Sequence, residues 1–149
     1  MENNEYMYKA YLEARKALEE NEVPIGCVIV KDGKIIAQSH NRKESLKDPT
    51  AHAEIECIKQ ATKALSSKYL EECEMYVTLE PCLMCTGAIV QARLKKVYVA
   101  TEDTKGGSFK SSIMVNEIKG INHHIDYEFG LMKNECSSIL KEFFKEKRK

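Results

Sequence analysis

Apolar and polar positions alternate along this chain in two rhythms, and the order of those rhythms predicts its layout. From about Glu5 to Glu20, Met7, Ala10, Tyr11, Ala14, Ala17 and Leu18 recur at helical spacing and share one face. Glu22-Val23-Pro24 ends that helix. Ile25 to Val30 and Lys34 to Ala37 are strand-like runs separated by Lys31-Asp32-Gly33, a hairpin signal. Ala51 to Leu65 reads as a helix, with Thr50 in position to cap it. Met75 to Leu79 is a strand. A helix from about Pro81 to Arg93 follows, because proline suits the first helical position. Val97 to Ala100 is the next strand. A polar loop with Gly106-Gly107 leads to a short strand at about His124 to Tyr127. A last helix sets Cys136, Ile139, Leu140, Phe143 and Phe144 on one side. Strands alternate with helices after the hairpin, which requires right-handed crossovers. The expected fold is α/β, a three-layer α/β/α sandwich on a mixed sheet of about five strands.

The chain has 149 residues, 43% hydrophobic and 31% charged, the composition of one globular domain over 1–149. It shows no repeat, low-complexity segment or Pro/Gly-rich linker. No apolar run approaches the ~20 residues that span a bilayer. Met1-Glu2-Asn3-Asn4-Glu5 lacks the features of a secretion signal. The six cysteines therefore fit a reducing cytoplasm better than three disulfides. Cys27, Cys57 and Cys136 read as small buried hydrophobes, and Cys73 as a strand-entry residue. The 23 basic and 23 acidic residues balance, which argues against indiscriminate coating of nucleic acid. The C-terminal stretch is more basic, with Lys133, Lys141, Lys145, Lys147, Arg148 and Lys149 against Glu135, Glu142 and Glu146. A solvated helix end and a polyanion-binding patch explain it equally well.

The chemistry concentrates in His52-Ala53-Glu54 and Pro81-Cys82-Leu83-Met84-Cys85. One imidazole and two thiolates make a three-ligand set for Zn²⁺, leaving a fourth tetrahedral position for water, as in catalytic sites. Cys82 and Cys85, three apart at a helix start, share a face, and the helix N-terminus favours their thiolate forms. A redox Cys-x-x-Cys pair would leave His52 and Glu54 without a role. A closed structural zinc site would need Cys57, Cys73 or His123 as fourth ligand. His40, His123 and His124 lack a carboxylate at the spacing Glu54 has from His52, and read as surface or loop residues. Residues i and i+2 point apart on a regular helix, so His52 and Glu54 meet at one metal only at a helix mouth. Asn41 has the donor and acceptor to read a base edge, and is equally at home in a turn. The pattern H-x-E…P-C-x-x-C is the signature of zinc-dependent nucleobase deaminases. It implies zinc-bound hydroxide as nucleophile and Glu54 as proton shuttle.

Nearly the whole chain resembles the bacterial tRNA-specific adenosine deaminases, within the cytidine-deaminase-like superfamily. The resemblance runs through Asn21 to Gly26, His40-Asn41-Arg42, Asp48 to Glu54, Val77 to Ile89, Asp103 to Gly107, Glu135-Cys136 and Phe143-Phe144 with the basic tail. It implies a hydrolase that forms inosine from adenosine at the wobble position of tRNA, with one Zn²⁺ per chain and a homodimer gripping the anticodon loop. By position, Asn41 would hydrogen-bond the flipped adenine, with Ala53 also at the substrate, and Asp103 and Lys105 would line the nucleotide channel. Phe143, Phe144 and Arg148 would face the RNA. The apolar Leu83, Met84, Ile89 and Val90 exceed what one buried face needs, and add support for a dimer. A free-base deaminase acting on guanine or cytosine shares the zinc motif and is the alternative; a non-catalytic zinc-stabilised binding protein would leave Glu54 unexplained.

Overall fold

The computed structural model describes residues 2–147, so Arg148, expected at the RNA, lies outside the described residues. Helix α1 spans Asn3–Glu19, and the β1 (Gly26–Lys31) and β2 (Lys34–His40) hairpin follows it. Asp32 and Gly33, with φ of 51° and 76°, make the tight turn whose twist suits a hairpin. Then come α2 (Ala53–Leu65), β3 (Cys73–Leu79), α3 (Leu83–Ala92), β4 (Lys96–Thr101), β5 (Asp126–Phe129) and α4 (Lys133–Lys147). The sheet order is β2-β1-β3-β4-β5. β1 pairs antiparallel with β2 and β3, whereas β3, β4 and β5 run parallel. The sheet is mixed, as expected, and Cys73 does open β3.

The inner strands β1, β3 and β4 are apolar on both sides because both sides are covered, whereas the edge strands β2 and β5 keep exposed positions. Cys27, Ile29, Met75, Val77, Val97 and Val99 face a core shared with α2 and α3. Their neighbours Val28, Val30, Tyr76, Tyr98 and Ala100 face a second core with α1 and Cys136 of α4. Tyr76 stacks on Tyr98 there, with ring centroids 4.5 Å apart. Gly26 lets α1 lie close on β1: a Cβ at that position would stand 1.9 Å from the Ala10 carbonyl oxygen.

Several boundaries differ from expectation. The α2 helix begins at Ala53, with His52 as its N-cap, so Thr50 is no cap; its hydroxyl bonds the Asp48 carboxylate instead. Pro81 stands one residue before the N-cap Cys82 rather than inside α3. β5 starts two residues later than expected, after Ile125 has joined the first core. Between β4 and β5 the chain makes no α-helix. It covers the α2/α3 side with Phe109, Val115 and Ile125, all buried.

Candidate active site and metal centre

The site forms where two helices begin. His52 is the N-cap of α2 and Cys82 the N-cap of α3, both with extended backbone (ψ 154° and 176°). An N-cap residue is still outside the helical spiral, so its side chain and those of the first turn can face one point. That resolves the i, i+2 difficulty: His52 caps while Glu54 lies in the first turn, and both address the same place. Two helix N-termini there favour negative charge.

His52 Nδ1 lies 3.7 Å from Cys82 Sγ and 3.6 Å from Cys85 Sγ. Ligands about 2.0–2.1 Å (nitrogen) and 2.3 Å (sulfur) from a tetrahedral zinc stand about 3.6 Å apart, so the spacing fits the ion. Among the described residues this is the group of three such side chains able to hold a metal. The alternative fourth ligands are engaged elsewhere or held in the sheet. Cys57 Sγ donates to the Cys27 carbonyl, Cys73 is buried at the start of β3, and His123 Nε2 lies 3.0 Å from the Leu94 carbonyl oxygen. All six cysteines are free thiols.

Cys85 donates a hydrogen bond to Cys82, and His52 contributes another, which together hold the Cys82 thiol down at about 4 despite burial. The shared proton pushes Cys85 far above the ordinary thiol range. Cys82 in turn raises the pKa of His52. Glu54 is buried, and loss of water raises its carboxyl to about 7; its own backbone amide and the Cys85 thiol only partly offset this. A carboxyl poised near neutrality beside a three-ligand metal cradle can accept and return protons at working pH.

The other expected residues differ in how much of each is free to meet a ligand. Ala53, in the first turn of α2, is fully buried. Asn41 is also buried: its Oδ1 accepts from the Lys43 amide and its Nδ2 donates to the Val23 carbonyl at 3.4 Å. One donor and one acceptor position of its amide remain. It lines a polar cavity of about 480 Å³ with Glu22, Lys43, Phe143 and Lys147. Asp103 and Lys105 line an apolar groove of about 980 Å³ with Ile25, Leu79, Leu140 and Phe144. Within it, Asp103 Oδ1 accepts from the Lys105 and Gly106 amides and so shapes its own turn. Phe143 is buried, whereas Phe144 is 45% exposed and stands edge-on to it. Leu140 and Phe144 thus leave the core side of α4 and turn toward the groove.

Sequence reasoning missed three groups. His40, expected as a surface or loop residue, is clamped: Nδ1 lies 3.0 Å from Glu13 and Nε2 3.0 Å from Glu20. Two carboxylates need two N–H donors, so the ring is an imidazolium, and its pKa is raised chiefly by Glu13. Buried Glu22 accepts from the Glu44 and Ser45 amides and the Ser45 hydroxyl, which fixes the segment after Asn41. Buried Glu80 accepts from four backbone amides and one hydroxyl. The available signal was an acid placed directly between an apolar run and Pro81.

Comparison with known proteins places this geometry. The MafB19-like deaminase family matches residues 1–148. A tRNA-specific adenosine deaminase of Aquifex aeolicus is 48% identical over 145 residues, 97% of this chain and 95% of that protein. A structure from a study of A-to-I editing by tRNA:A34 deaminases at the wobble position of transfer RNA superposes with a TM-score of 0.90. It is 43% identical and covers 92% of this chain and 99% of its own. A guanine deaminase from Bacillus subtilis superposes with a TM-score of 0.69 at 32% identity, covering 100% and 96%.

Proposed function

Because the chain belongs to the tRNA-specific adenosine deaminase family of MafB19-like deaminases, we propose that it converts adenosine to inosine at the wobble position of a tRNA anticodon loop. The observation that carries this reading is the convergence of His52, Cys82 and Cys85 beside buried Glu54, in a chain 48% identical to an adenosine deaminase acting on tRNA. The three side chains would hold one Zn²⁺, which when bound supplies a water made acidic enough to attack at neutral pH.

The residues of the chain do the remaining work. Glu54 takes a proton, carries it to the purine ring nitrogen and delivers another to the departing ammonia, a sequence suited to a carboxyl near 7. The free positions of the Asn41 amide hold the flipped base, and Ala53, expected at the substrate, is fully buried and leaves no surface for it. Asp103 and Lys105 bound the channel for the nucleotide, and Phe144 meets the loop from α4, with Phe143, expected at the RNA, buried and packed edge-on against it. Lys141, Lys145 and Lys147 on α4, continued by Arg148 in sequence, supply phosphate contacts. Flipping costs least where bases are already unstacked, which favours a loop over a duplex.

We further propose a homodimer through the start of α3. Leu83 and Met84 are 57% and 37% exposed there, whereas Ile89 and Val90 fill the monomer's own core. The reaction has no use for a membrane, and no helix among the described residues is long and apolar enough to cross one. A cytoplasmic location suits the six free thiols.

Free-base deamination is the second reading, favoured by the likeness to the Bacillus subtilis guanine deaminase. Ammonia release from an anticodon stem-loop with wobble adenosine, set against guanine, cytosine and free adenosine, separates the two. Turnover of the stem-loop with inosine formed is the expected result. Efficient turnover of guanine or cytosine without inosine in the RNA moves the assignment to the second reading.

A further inference from the structure

Glu80 is 2% exposed, and the chain beyond β4 is wrapped around its carboxylate. One oxygen accepts from the consecutive amides of Phe109, Lys110 and Ser111, at 3.0, 2.9 and 3.0 Å. Three successive N–H groups aimed at one oxygen form an anion nest, here filled by a side chain of the same protein. The other oxygen accepts from the Asp103 amide at 3.1 Å and from the Ser111 hydroxyl. Ser108 N–H also bonds the Pro81 carbonyl at 2.9 Å, so the loop grips two adjacent residues immediately before Cys82. Gly107 passes so close that an added Cβ would stand 2.3 Å from the Glu80 carboxyl carbon.

Glu80 thus gathers more of the loop's backbone amides than any other side chain among the described residues, and it lies two residues before Cys82. Asp103 and Lys105, which line the groove, lie on the part of the loop that Glu80 pins at Asp103. Burial alone would raise the Glu80 pKa, but the Ser111 hydroxyl and the loop amides more than offset it, so the carboxylate stays charged. It touches neither the metal cradle nor the groove contents; its reach is through the loop.

We propose that Glu80 is a positioning residue for the deamination reaction: it fixes the 102–111 segment, and with it the groove wall carrying Asp103 and Lys105, in register with Cys82 and Cys85. Its carboxylate stands in for an anionic ligand that orders the loop. The substrate-binding half of this proposal rests on the function proposed above, and the loop-ordering half does not.

The test uses zinc-loaded protein and Glu80→Gln, which keeps the volume but replaces one of the two acceptor oxygens with an NH2, so that either the nest or the Asp103 amide faces a donor. Amide exchange at 103, 109, 110 and 111 is expected to quicken about tenfold or more, with α2 and β1 unchanged. KM for the stem-loop is expected to rise about tenfold with kcat within about threefold, and zinc content to stay the same. Ser111→Ala, which removes one donor, gives the same pattern more weakly and serves if Glu80→Gln does not fold. Faster exchange spread evenly over the sheet, or a fall in kcat with KM unchanged, overturns the proposal. If the wild-type enzyme turns over a free base instead of RNA, the proposed function fails while the exchange measurement still decides the loop anchor.

Discussion

Two buried glutamates flank the Cys82–Cys85 pair, and their surroundings give them opposite characters. Glu54, at the mouth of α2, has few donors; burial dominates and its carboxyl rises to about 7. Glu80, just before α3, is buried as deeply but collects amides from a distant loop, and its carboxyl falls below the ordinary value. Burial is common to both, so burial does not decide the charge. The number of aimed donors does. A carboxyl left short of donors can move protons; one surrounded by them becomes a fastener.

The comparison breaks most visibly at Glu54. Replacing it with Gln should lower turnover by ~10²–10⁴-fold, since one proton carrier serves several transfers. Zinc content should be unchanged and the melting temperature equal or higher, because an under-solvated carboxyl has been removed. Metal analysis beside single-turnover kinetics reads both, and loss of zinc would make Glu54 a ligand rather than a carrier.

A pH series on chelator-stripped protein sharpens the contrast. Glu54 has a folded pKa raised from 4.5 to about 7. Its contribution to stability is therefore fully present below about 4.5 and lost as pH rises through about 7, a change of about 3 kcal/mol. Glu80 has a folded pKa that is lowered. Its contribution is present above the unfolded carboxylate pKa and disappears as pH falls through the folded one. Urea melts between pH 2 and 8 should show Glu54→Gln flattening the upper limb and Glu80→Gln the limb below about 4.5. Loss of the same limb in both variants would refute the distinction.

Gly107→Ala attacks the Glu80 region sterically. The new methyl would meet the Glu80 carboxyl carbon at 2.3 Å and the Asp103 carbonyl oxygen at 2.6 Å, and should destabilise by about 1–3 kcal/mol. Gly106→Ala, where the nearest atom is Asp103 Oδ2 at 3.5 Å, is the near-neutral control. Equal melting temperatures for the two variants would mean that the loop is not held against Glu80.

The smallest effect is expected at His40, where a cation rather than a set of amides satisfies the carboxylates. Its folded pKa is raised, so its contribution is complete below about 6.5 and lost as pH rises through the folded value. His40→Gln should cost about 1 kcal/mol at pH 6 and progressively less toward pH 9. A pH-independent difference would show that the ring acts by packing alone.

The cluster of His52, Cys82, Cys85 and Glu54 was legible in the sequence because its spacing is local. His52 and Glu54 lie within one helix turn, as do Cys82 and Cys85, and helix starts are marked by short-range signals. The strands were legible for a similar reason, since alternation along Cys27 to Val30 and Met75 to Val77 needs only neighbours. Even there, Thr50 and Pro81 misled by two residues, because the caps went to the residues that face the site. What the sequence could not assign was the work of Glu80, Glu22 and His40. Glu80 bonds Ser111 and Phe109 across 31 and 29 residues, and His40 bonds Glu13 across 27. An isolated acid in a sequence carries no mark of which distant amides will reach it; only the sheet order, which brings the chain after β4 back over Pro81, supplies that partner. Local periodicity determined the elements and the His/Cys/Cys motif, and long-range packing decided which buried carboxyl is left short of donors and which is wrapped by the loop.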